Sequence, residues 1–90
     1  MIPVQAADPV VVAKSRISEW LHDLRVGGVG LSAQTKEELL NQLHSARPVT
    51  RRDGTLEVVL PGLSALGIGI FQHSFRCESV RVRVVPYGNA

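Results

Sequence analysis

Ser79-Val80-Arg81-Val82-Arg83-Val84-Val85-Pro86 alternates apolar and basic residues with a period of two. Successive strand side chains point to opposite faces, so Val80, Val82 and Val84 share one face and Arg81, Arg83 and Val85 the other. This is the pattern of a half-buried β-strand. It defines the inner face of a sheet and places two guanidinium groups on the outer one.

Working back from this strand, residues 48–86 read as a β-meander. Val49-Thr50-Arg51 and Thr55-Leu56-Glu57-Val58-Val59-Leu60 flank Arg52-Asp53-Gly54, a hairpin turn signal. Pro61-Gly62 opens a longer connection, and Leu66-Gly67-Ile68-Gly69-Ile70-Phe71 alternates, with large residues on one face and glycines on the other. Ser74 to Ser79 contains the next turn. The expected strands are 48–52, 55–60, 66–73 and 79–85. Their inner face holds Leu56, Val58, Leu60, Leu66, Ile68, Ile70, Val80, Val82 and Val84. Thr55, Glu57, Val59, Gly67, Gly69, Phe71, His73, Arg81, Arg83 and Val85 fall on the outer face.

Two helices precede the strands. Asp8-Pro9 is a helix start, with aspartate as N-cap and proline at the first helical position. Val10, Ala13, Ile17, Trp20, Leu21 and Leu24 then recur at helical spacing, and Gly27-Gly28 supplies a stop. Thr35-Lys36-Glu37-Glu38 reads as a capping box opening a second helix with Leu39, Leu40, Leu43 and Ala46 on its apolar side, ended by Pro48. The expected spans are 9–26 and 36–46. Trp20, Leu21, Leu24, Leu39, Leu43, Ile68 and Val82 are the expected deep core. Helices followed by strands give an α+β class, with both helices packed on one face of a four-stranded antiparallel sheet, ααββββ. Residues 1–90 read as a single small domain: an extended arm over 1–7, a helical hairpin over 8–47 and the meander over 48–86.

Charge is distributed unevenly along the chain. Residues 1–46 carry four Lys/Arg against five Asp/Glu, and residues 47–90 carry six Arg, no Lys, and three Asp/Glu. Arginine suits planar, bidentate recognition of carboxylate or phosphate. The longest apolar run, Val10 to Ala13, is far too short to span a bilayer, and no basic segment precedes an apolar one at the N-terminus. With one cysteine, Cys77, no internal disulfide can form. These features set the expectation of a cytoplasmic protein with no membrane contact.

Constellations for chemistry are incomplete. Gly28-Val29-Gly30-Leu31-Ser32-Ala33 matches a phosphate-cradling G-x-G-x-x-A, but that motif needs a strand before it and a βαβ unit around it. Here a helix precedes it, so an interhelical hinge is expected. His73-x-x-x-Cys77 is one pair where zinc needs four ligands. Glu37 and Glu38 are adjacent on a helix and do not face one another. No cofactor, metal or catalytic residue is therefore assigned.

Two binding classes remain. One is a small non-enzymatic regulatory or adaptor protein acting by protein–protein interaction, such as the inhibitors of an acidic partner protein carried by phages or mobile elements. The other is a nucleic-acid-binding regulator using the basic hairpin and strand face. Helix 2 with the Arg51–Gly54 hairpin has the outline of a winged helix, but Glu37 and Glu38 in its first turn would repel phosphate, and Phe71 is the single aromatic placed for base stacking on the sheet. The partner-binding residues are expected to be Arg51, Arg52, Phe71, Arg81 and Arg83, and the expected partner is an acidic protein surface. The strip of Val59, Gly67, Gly69, Phe71 and Val85, with the last strand as a sheet edge, raises the expectation of a homodimer. In the simplest reading, Arg81 and Arg83 pair with Glu57 across neighbouring strands.

Overall fold

The computed structural model describes residues 8–66 and 73–87, and these form an α+β structure. Helix α1 (Pro9–Asp23) starts as the sequence dictates. Asp8 Oδ1 accepts the Val10 N–H at 2.9 Å and Pro9 occupies the first turn. Ala13, Ile17 and Leu21, four residues apart, form its fully buried stripe.

The helix ends before the glycines expected to stop it. Gly27 and Gly28, at φ +61° and +81°, form the two-residue turn of a small ribbon, β1 (Arg25–Val26) paired with β2 (Val29–Gly30). Positive φ at both central positions is the type I′ geometry whose twist matches the flanking strands. The expected hinge is thus a hairpin, and the two helices are not contiguous in the chain.

Helix α2 (Ala33–Ser45) begins at Ala33 rather than Lys36. Its cap is Ser32, whose Oγ accepts the Thr35 N–H at 3.2 Å and donates to Thr35 Oγ1 at 2.9 Å. Thr35 therefore belongs to the first turn instead of preceding it. Leu39 and Leu43 are buried, as expected.

The main sheet comprises β3 (Val49–Thr50), β4 (Leu56–Val59), β5 (His73–Cys77) and β6 (Val80–Val85), in the order β3-β4-β6-β5. The antiparallel meander is overturned. β3/β4 and β5/β6 are antiparallel hairpins, but β4 and β6 run parallel, with Leu56 opposite Val82 and Val58 opposite Val84. β6 is an interior strand, not the expected edge. Val82, Val84 and Val85 are all buried, so its C-terminal half is covered on both faces, which suits a strand with neighbours on each side.

A 3₁₀ segment, Pro61–Leu66, replaces the expected start of a third strand at Leu66. Leu63 is fully buried, and the Gly62 N–H donates to Gln42 Oε1 at 2.8 Å. Gly62 packs directly under α2, because a Cβ there would lie 2.9 Å from Leu39 Cδ2. Residues 67–72, with Ile68, Ile70, Gly67, Gly69 and Phe71, lie outside the described residues. β5 runs into the stretch expected to contain the turn, and the reversal tightens to Glu78-Ser79, with Glu78 at φ +55°.

The core joins Ala13, Ile17 and Leu21 to Leu39 and Leu43, and to Leu56, Val58, Leu60, Leu63, Cys77, Val82 and Val84. α1 lies against β5 and β6, whereas α2 lies against α1 and the 3₁₀ segment. The expected inner face of β4 and β6 is therefore correct. Trp20 and Leu24 are only half-buried at its margin.

Candidate functional site

The turn joining β3 to β4 fixes the first arginines. The Gly54 N–H donates to Arg51 O at 2.9 Å and the Arg51 N–H to Thr55 O at 2.8 Å, with Gly54 at φ +87°. This is a type I turn closed by a glycine in the left-handed region, the geometry favoured for a loop of this length. Asp53 Oδ1 accepts the Thr55 N–H at 2.9 Å. Hydrogen bonding from the Thr55 backbone and side chain holds the Asp53 carboxyl below its ordinary value. Asp53 is thus an anionic brace of the turn, and Arg52 is exposed at its tip.

Strand register distributes the other arginines over the sheet face away from α1. Glu57 on β4 is flanked by Val49 of β3 and Arg83 of β6. Its Oε1 accepts from Arg51 Nη2 at 2.5 Å, and this carboxylate is the main reason Arg51 holds its proton above the usual range. Glu57 is 8% exposed, so this charge-assisted bond closes over it. The alternative in which Arg81 and Arg83 pair with Glu57 is therefore not what the fold makes: the carboxylate faces Arg83 in register but bonds Arg51. The buried Nε of Arg83 has no acceptor among the described residues.

Arg81 on β6 lies directly opposite Arg76 on β5. Both are exposed, and neither takes part in an ion pair or hydrogen bond among the described residues. Residues 1–7, 67–72 and 88–90 contain no Asp or Glu. Arg76 was not among the residues singled out from sequence. The signal is present in His73-Ser74-Phe75-Arg76-Cys77, which alternates like the last strand, although the expected third strand ends at His73. Of the five residues expected to bind a partner, the fold places Arg51, Arg52, Arg81 and Arg83 on one sheet face and its adjoining turn. Phe71 lies outside the described residues.

The alternative chemistries are placed elsewhere. Cys77 is buried in the core opposite Val80. His73 is on the helix-facing side, not the expected outer side. Its ring stacks on Trp20 with centroids 4.3 Å apart and planes 3° from parallel, and burial holds its imidazole below the ordinary value. Among the described residues no group of His, Cys, Asp and Glu is arranged to hold a metal ion, and no helix is long and apolar enough to cross a membrane. Val85, expected to contribute to an open apolar strip, is 6% exposed, so that strip is closed at its Val85 end.

No protein-family model matches the chain, and no curated protein or solved structure is similar to it.

Proposed function

We propose that this is a small non-enzymatic regulatory or adaptor protein that binds an acidic protein surface through the outer sheet face and the Arg51–Gly54 turn. The observation that carries this reading is an arginine surplus with too few acceptors. Arg51, Arg76, Arg81 and Arg83 share this face with two carboxylates, the buried Glu57, which bonds Arg51, and the exposed Asp53 at the turn, whose charge acts on Arg83. Uncompensated arginines on an exposed sheet face favour an anionic partner, and arginine is enriched among interface hot spots. The half-buried Val59 and half-exposed Val49 add apolar contact beside the charges. A nucleic-acid backbone is the less favoured partner, because Glu57 and Asp53 interrupt the arginines where a phosphate track wants continuous positive charge.

Affinity capture from the native host tests this reading, with nuclease-treated extract and the Arg81→Glu/Arg83→Glu variant as controls. A defined protein species retained by the wild type and lost by the variant is expected. Capture that disappears with nuclease, or persists unchanged in the folded variant, refutes it.

A further inference from the structure

The Arg76/Arg81 pair overhangs a shallow depression of about 290 Å³, lined also by Asp53, Gly54, Thr55 and Ser79. This is at the lower end of ligand-pocket sizes and has room for an acidic side chain with part of its backbone. Like charges directly opposite one another on adjacent strands oppose folding. Places where local consistency fails in this way are expected at functional or strained sites. We propose that this depression is a carboxylate site, in which the side chain of a glutamate or aspartate on an acidic protein segment is bound between Arg76 and Arg81. The proposal rests on the reading of the outer face as a docking surface and names its anchor point.

Three features specify the ligand. Two guanidinium groups, each a planar array of donors, match the paired oxygens of one carboxylate, and bridging them removes their mutual repulsion. Asp53 also lines the depression, with its Oδ1 bound by the Thr55 N–H and, among the described residues, no ion pair to Arg76 or Arg81. Its charge acts on Arg83 and Arg51, so charge alone does not select a carboxylate, a monoanion, over phosphate. Phosphodiesters are also monoanions, but they come in a continuous row. The next residue along this face of β6, Arg83, has Glu57 and not another cation as its β4 neighbour. Ser79 supplies a hydroxyl donor at the rim.

The full chain would be titrated with a hexaglutamate peptide and, separately, with an oligothymidylate of equal net charge, following backbone amides and arginine Nε–H signals by NMR. Hexaglutamate is expected to shift Arg76, Arg81, Gly54 and Ser79, and Arg76→Gln or Arg81→Gln to weaken its binding about ten-fold, as loss of a charge-assisted hydrogen bond would. Arg16→Gln, exposed on α1 and away from this sheet face, should change it far less. If hexaglutamate binds but shifts only Arg51, Arg52 and Arg83, and is indifferent to Arg76→Gln, the carboxylate site is wrong while the outer-face reading stands. If hexaglutamate does not bind at all, both fail. If oligothymidylate binds more tightly at the same signals, the ligand class is overturned in favour of phosphate.

Discussion

Converting Arg76 to Glu should make the free protein more stable while removing it from its partner. Arg76 and Arg81 are directly opposed across an antiparallel pair. Opposed side chains on neighbouring strands lie about 5 Å apart at Cβ, and an opposite-charge pair contributes about 0.2–1 kcal/mol where a like pair is unfavourable. Replacing repulsion by attraction should thus yield about 0.5–1 kcal/mol for either Arg76→Glu or Arg81→Glu. For a domain of this size, that raises Tm by about 2–8 °C. The double variant restores a like-charge pair and should fall back toward the wild type. The double-mutant cycle therefore isolates the coupling from any change in strand propensity. The gain should shrink in 1 M salt, where the Debye length is about 3 Å. Thermal unfolding of the four proteins in low and high salt provides the measurement. Single variants no more stable than the wild type, or a cycle with no coupling, would mean that the two guanidinium groups diverge into solvent. The case for a charge conflict relieved by a ligand would then collapse. The same result serves the binding assays, since a variant that melts higher has not lost its partner by unfolding.

Three further outcomes test the framework that holds this face. Ile17→Ala or Leu63→Ala, both fully buried where α1 and the 3₁₀ segment meet the core, should cost about 2–5 kcal/mol in denaturant unfolding; a loss under 1 kcal/mol would place them outside the core. Gly62→Ala should cost up to about 1 kcal/mol, because the new methyl meets only the ends of the Leu39 and Gln42 side chains, which must shift to admit it; a loss above about 3 kcal/mol would show that these side chains cannot give. Burial lowers the His73 pKa relative to the unfolded chain, so the folded state binds protons less readily than the unfolded one. The stability contributed by the neutral ring is complete above about pH 6.5, the unfolded value, and is lost as pH falls through the lower folded value. Trp20, the single tryptophan and the stacking partner of His73, should report this titration by fluorescence with a midpoint below 6.5, and His73→Gln should abolish it.

Legibility of the fold followed the length of each local signal. Asp8-Pro9 and the Ala13/Ile17/Leu21 stripe each combine a cap with a periodic face, and both are found as read. Thr55–Leu60 and Val80–Val85 have enough alternation to fix which residues face the core. Strand order was not accessible in the same way, because alternation says which side a residue faces and nothing about which strand lies beside it. β6 could have been read as interior from Val84-Val85, two consecutive apolar residues that suit burial on both faces. Gly27-Gly28 carries the same ambiguity on a smaller scale. The pair satisfies a helix stop and a type I′ turn alike, and the choice between them depends on whether Val26 and Val29 can pair across it.

The candidate site was half legible for a related reason. Arg81 and Arg83 follow from the phase of one strand, and Arg51, Asp53 and Gly54 from the short-range signal of the hairpin turn. Arg76 was lost because β5 was placed too early in the chain. Ending that strand at His73 put the histidine on the outer face and left Arg76 beyond it. Shifting the strand to His73–Cys77 sets His73, Phe75 and Cys77 on the helix side and turns Ser74 and Arg76 outward. That shift also supplies Arg81 with its opposite number. An isolated arginine on an exposed sheet is ordinary solvated surface. An arginine held opposite another arginine, beside a carboxylate already engaged by a backbone N–H, is a position where the free protein is less stable than it could be. The single-strand reading could identify the first situation but not the second, because the conflict exists only in the pairing.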